Sequence, residues 1–209
     1  GIAAIIFFIT IRVKKAGIPG LLSKSVTSFL FILTACVSLY INPSASGYGL
    51  LIIPGLVCGL IGDIWLDLKY AYPEHADTYL YAGFYSFMAG HIFYIIAIYT
   101  FLGWSFPLIT GTLFMAIAAS GVIILSGKPL GFMFGKFRMT SFVYGSALMM
   151  TTFSSFSALY LTGETMWYMM SVAGILFAAS DLVLSATYFV RGKDNTRSDA
   201  AKRIPATSD

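Results

Sequence analysis

Two aspartates and one histidine stand inside segments that otherwise read as membrane-spanning helices: Gly62-Asp63, Phe87-x-x-Gly90-His91-x-x-Tyr94 and Ser180-Asp181. A charge near the middle of a bilayer costs roughly 3 kcal/mol or more, so such a residue faces a cavity, a partner or a substrate. Carboxyl and imidazole groups are also the side chains of proton transfer, in acid–base catalysis or in a proton-coupled carrier. Three of them on three spans mark a buried polar site, and the rest of the chain has to place it.

The elements that place it are helices in lipid. The chain is 58% hydrophobic and 11% charged, with a mean hydropathy of +0.82. Soluble domains carry about 25% charged residues. Ser25 to Gly62 contains no charge, and Thr78 to Gly127 contains only His91. Each run is too long for one span of about 20 residues and long enough for two. The turn clusters Asn42-Pro43-Ser44 to Gly47 and Gly103 to Pro107 divide them. The expected helices lie near 2–11, 25–41, 49–68, 79–100, 106–125, 140–160 and 166–190. This is an all-α, polytopic transmembrane bundle of seven helices in one domain, 1–191, followed by a polar tail or loop, 192–209. The short first helix starts at Gly1 without an initiator Met, and the chain stops at Asp209. The expectation is a chain trimmed at both ends, with an eighth helix beyond the C-terminus.

Charge sets the orientation. With alternating helices, all 13 Lys and Arg residues fall on one side. Positive-inside bias makes that side cytoplasmic in a multi-pass protein of a cell inner membrane or the endoplasmic reticulum. The net charge of +4 then reflects topology and calls for no nucleic acid. Cys36 and Cys58 lie in different spans and read as small packing residues.

Depth follows from helix rise. Asp63 lies about 9 Å from its basic helix end, Asp181 about 15 Å and His91 about 18 Å, which suits one pocket open to the cytoplasmic leaflet. Each residue also has a plainer reading. Asp63 can be a buried partner for Lys24 that holds helices together. His91, which shares a face with Tyr94, can be a core imidazole bonded to a carbonyl. Ser180 can be a small packing residue. Lys24 can snorkel, Tyr144 can belong to the interfacial belt, and Asp67 and His75 read as solvated.

In this order and spacing, Gly62-Asp63-x-x-Leu66, Gly83-x-x-x-Phe87-x-x-Gly90-His91-x-x-Tyr94, Tyr144 and Gly174-x-x-Phe177-x-x-Ser180-Asp181 resemble the YhhN-like lysoplasmalogenase family of integral membrane proteins. The pattern spans roughly 24 to 190. The family tends to open its second helix with Lys-Pro, where this chain has Lys24-Ser25, and it usually has eight helices.

The resemblance implies hydrolysis of the vinyl-ether bond of lysoplasmalogens to a fatty aldehyde and glycerophospho-ethanolamine or -choline. A vinyl ether is cleaved by protonating its outer alkene carbon, and water attacks the resulting oxocarbenium ion. That needs a general acid and a carboxylate, as in glycosidases. Asp63 and Asp181 are the expected pair, one protonated and one ionised, because a low-dielectric pocket disfavours two charges. His91 joins them as a catalytic residue. Tyr94 and Tyr144 would contact water or substrate, Ser180 would support Asp181, and Lys24 would hold the phosphate. The expected partners are a lysophospholipid and the bilayer, with no cofactor and no metal.

Other classes fit less well. The Gly-x-Gly-Asp and Tyr-Asp motifs of an intramembrane aspartyl protease are missing. A zinc hydrolase needs about three good ligands, and the chain has two His in all. A serine protease lacks a nucleophile motif, and 166–190 has no Lys for a retinal Schiff base. The main alternative is a proton-coupled small-solute transporter using the intramembrane Asp residues. A purely structural membrane subunit is the third reading.

Overall fold

The computed structural model describes residues 18–127, 129 and 133–189, with side chains described for 22–127, 129 and 133–185. They form six α-helices: α1 (Ile18–Ile41), α2 (Ser46–Ala71), α3 (Ala76–Leu102), α4 (Phe106–Ser126), α5 (Arg138–Thr162) and α6 (Thr165–Phe189). Single 3-10 turns occupy Pro43–Ala45, Pro73–His75 and Gly135–Phe137, and there is no strand among the described residues. The all-α class expected from the sequence holds. The described count is six rather than seven, because the segment 2–11 lies outside the described residues, as does the tail 192–209.

The largest boundary difference is at α1, which starts at 18 rather than 25. Its described part already includes the apolar Ile18-Pro19-Gly20, so the helix reaches back past the residue at which the sequence suggests it opens. Lys24 is therefore an interior residue of α1 and not part of the preceding loop.

The helices pack in a chain of neighbours. α2 lies along α1 and α3, α3 also meets α5, and α5 is shared by α3, α4 and α6. Among the helices, α1 packs against α2 alone. Five of the six helices are long and apolar enough to cross a bilayer, on Leu22–Ile41, Pro43–Ala71, Pro73–Leu102, Phe106–Ser126 and Thr165–Ser185. Their outer faces carry exposed apolar side chains such as Phe29, Phe114 and Val183, the surface that a bilayer covers. The exception is α5. Its buried face includes Thr151, Thr152, Ser154 and Ser155, and three neighbours cover it.

The glycines of the motifs explain the tightness of the α2–α3 contact. A Cβ at Gly62 would lie 2.8 Å from the Phe87 ring, and one at Gly83 would lie 2.7 Å from Leu66. A Cβ at Gly90 would lie 3.0 Å from the Gly55 carbonyl oxygen. Each helix thus offers glycines into which the other inserts a large side chain or its own backbone, the close approach that small residues permit in membranes.

Apolar clusters close both ends. Leu66, Leu80, Phe134 and Phe137 pack at the end that carries the basic residues. Ile98, Ala158 and Trp167 pack at the other. Gly163 turns α5 into α6 with φ +68°, a left-handed conformation that glycine adopts without strain. Between the clusters lies a polar layer, in which the Tyr99 hydroxyl meets Ser154 at 2.9 Å and Ser171 meets Ser155 at 3.1 Å.

Candidate active site

Each acidic residue of the site is held by an element other than its own. Lys24 Nζ on α1 lies 2.7 Å from Asp63 Oδ1 on α2. Ser28 Oγ donates to Asp63 Oδ2 at 3.2 Å. Lys24 and Ser28 are four residues apart on one helix face, so α1 grips both carboxylate oxygens from a single stripe. The two charged side chains are 24% and 23% exposed. Removing one partner of so enclosed a pair leaves the other charge uncompensated, which is more damaging than losing both.

Asp181 on α6 accepts a hydrogen bond from the Tyr144 hydroxyl on α5. Tyr144 is buried, with Phe84, Phe87 and His91 around its ring at centroid distances of 5.4, 6.4 and 6.0 Å. The two pairs are joined through the ring of Phe87, which packs on Gly62 beside Asp63 and stands 6.4 Å from Tyr144. Tyr144 and Asp181 line a cavity of about 90 Å³ whose other walls are mostly apolar, among them Leu66, Phe87 and Leu148. A cavity of that size with polar groups in its wall has room for water.

His91 is buried near the middle of α3. Its Nδ1 lies 3.2 Å from Thr151 Oγ1, and Phe177 stands edge-on to it at 5.5 Å. Thr151 Oγ1 also lies 3.0 Å from the Ala147 carbonyl, to which it donates. The His91 carbonyl is a longer second acceptor, at 3.5 Å; with the hydroxyl proton spent on a carbonyl, the arrangement suits Thr151 as acceptor of His91 Nδ1–H. Nε2 is then the lone-pair nitrogen.

Among the residues singled out from the sequence, Lys24, Asp63, Asp181, Tyr144 and His91 come together. Tyr94 stands 5.9 Å from His91, ring to ring, but it is also wedged against Gly55 of α2. Ser180 does not join them: it is exposed. Consecutive residues on a helix point in different directions, so proximity in sequence to Asp181 does not bring Ser180 to the same face. His75 is exposed in the turn before α3.

Ser28, Thr151 and the ring of Phe177 were not expected as site residues. Ser28 lies four residues after Lys24, and Thr151 lies seven after Tyr144, both same-face spacings. Those spacings are the signals that point to them. Among the described residues, no group of three or more His, Cys, Asp or Glu is placed to hold a metal ion.

No significant match is found to a curated protein or to a solved structure. The family model of the YhhN family matches residues 20–202, from the first turn of α1 through the whole of the described site. The chain therefore belongs to the YhhN family.

Proposed function

We propose that this membrane protein hydrolyses the vinyl-ether bond of lysoplasmalogens, releasing a fatty aldehyde and a glycerophospho-alcohol. The observation that carries the reading is the unequal setting of the two carboxyl groups. Asp63 is charge-balanced by Lys24, whereas Asp181 faces a mostly apolar cavity and is held by a phenol. Such a pair suits acid and base roles, one group holding a proton beside an ionised neighbour.

In this mechanism Asp181 delivers a proton to the outer alkene carbon. The ether oxygen takes up the positive charge as an oxocarbenium ion, and ionised Asp63 stabilises it. Water adds to the carbon bearing that oxygen and gives its proton to Asp63. The hemiacetal collapses to aldehyde and alcohol, and the proton on Asp63 restores Asp181. His91 offers the Nε2 lone pair to the attacking water. The basic end of the bundle faces the cytoplasm, with the phosphate at that surface and the hydrocarbon chain between helices. Lys24, already paired with Asp63, acts on the phosphate only through its field. The apolar cluster at the far end supports a one-sided pocket over a transport path.

The test is aldehyde release from a lysoplasmalogen by the purified protein, by Asp181→Asn and by Asp63→Asn. The expected result is turnover by the parent and a loss of about 10³-fold or more in each folded variant. Undiminished turnover in both variants sinks the assignment. Proton-driven solute uptake in sealed vesicles, abolished by Asp63→Asn, would favour the transporter.

A further inference from the structure

Ser141 lies three residues before Tyr144, on the same face of α5 and one turn nearer the basic end. It lines the cavity that Tyr144 and Asp181 line, and Ser185, one turn beyond Asp181 on α6, lines it too. The Ser141 hydroxyl oxygen is shut off from solvent and makes no hydrogen bond to any described residue. That is unusual in this helix. Ser146 donates to the Phe142 carbonyl at 2.8 Å, Thr151 to Ala147 at 3.0 Å and Ser157 to Phe153 at 3.0 Å. A helical serine normally satisfies itself on the carbonyl one turn back, as these do. A buried polar group left without a partner is destabilising, and native proteins rarely keep one without a use.

We propose that Ser141 is a specificity-determining residue whose hydroxyl bonds a free hydroxyl of the substrate, next to the bond that is cleaved. The inference rests on the vinyl-ether reading, in which the reacting carbon sits at Asp181. Three residues of helix rise by about 4.5 Å. A hydroxyl on the glycerol carbon adjacent to the ether-bearing carbon is a few covalent bonds from the alkene, within reach of a side chain one turn away. An acylated glycerol has no hydroxyl to offer there and adds bulk, so the same contact selects lyso-lipids over diacyl ones. Sites built to bond a hydroxyl reject analogues lacking it far more strongly than apolar pockets reject an added group.

The experiment measures binding without turnover. The full chain and Ser141→Ala, in nanodiscs, are titrated with a saturated 1-O-alkyl lysophosphatidylethanolamine and with its 2-deoxy counterpart. Neither probe has a vinyl bond to cleave, so the result is independent of the aldehyde assay. The parent is expected to bind the hydroxyl probe about tenfold more tightly than the deoxy probe. Ser141→Ala is expected to bring the two within about twofold, with Tm unchanged or raised because an unsatisfied group has been removed. Equal binding of both probes by the parent overturns the proposal, as does an undiminished preference in Ser141→Ala. A lowered Tm that accompanies the loss also overturns it, since the hydroxyl would then be structural.

Discussion

The Tyr144 hydroxyl on α5 donates to the Asp181 carboxyl on α6, tying the shared central helix to an acid on a peripheral one. This bond orients the proposed proton donor. Tyr144→Phe keeps the ring among Phe84, Phe87 and His91 and removes only the hydroxyl. The expected outcome is a kcat lowered by about 10²-fold with KM little changed, from a folded protein. A Tyr144→Phe enzyme with parental kcat would remove Tyr144 from the chemistry.

The Lys24–Asp63 pair allows scaffold and chemistry to be separated. Lys24→Met leaves the Asp63 carboxylate with the Ser28 hydroxyl but no balancing charge from α1, so Tm should fall clearly. Lys24→Met with Asp63→Asn removes both charges and should recover most of that Tm. If Asp63 acts in the reaction, the recovered double variant releases no aldehyde. Recovery of both stability and turnover would make the pair a structural clasp alone.

Thr151 sets which nitrogen of His91 carries the proton. The ¹⁵N chemical shifts of the His91 ring in the parent should report protonated Nδ1 and bare Nε2. In Thr151→Val the Nδ1–H loses its acceptor, at a cost of about 1–3 kcal/mol. A mixed or inverted tautomer population is expected, with reduced turnover. Observation of protonated Nε2 in the parent would refute the arrangement.

The glycine contacts predict a contrast within one helix. Gly62→Ala places a methyl 2.8 Å from the Phe87 ring, whereas a Cβ at Gly59 meets nothing within 4 Å. Gly62→Ala should destabilise by about 1–3 kcal/mol through overpacking, and Gly59→Ala should be neutral or stabilising, since Ala is the better helix former. Thermal unfolding of the two variants side by side checks the register of α2 on α3. Similar Tm values for both would contradict it.

Much of this was legible beforehand for a physical reason. Asp63, His91 and Asp181 stand out because ionisable groups in apolar runs have few places to go except inward. Helix ends near Pro43 and Gly103 are marked by residues that interrupt a ladder of backbone bonds. Lys24 reads as a loop residue because Pro19 and Gly20 precede it, yet that stretch is helical from Ile18. Ser180 is exposed although it adjoins Asp181, because neighbours along a helix point in different directions. Ser28, Thr151 and Ser141 resemble every other hydroxyl in the membrane, and their distinctness depends on which helix lies opposite. That register is set by Gly62, Gly83 and Gly90 pressing α2 onto α3, a tertiary outcome that no local pattern encodes.

The hydroxyl-rich character of α5 bears on how the protein enters its membrane. Among the described helices, the one that touches the most neighbours is also the one whose buried face carries Thr151, Thr152, Ser154 and Ser155. We predict that its entry is cooperative, with α5 shielding its threonines and serines against α3, α4 and α6. A reporter thiol at lipid-facing Val143, introduced as Val143→Cys, tests this. In a chain ended at Gly163 it should react with a membrane-impermeant maleimide, and in the full chain it should be protected. Equal protection in both would mean that α5 partitions alone. If the entry is cooperative, the candidate site and the competence to integrate are linked, because Tyr144 and Thr151 ride on the helix whose hydroxyl-bearing face its neighbours cover.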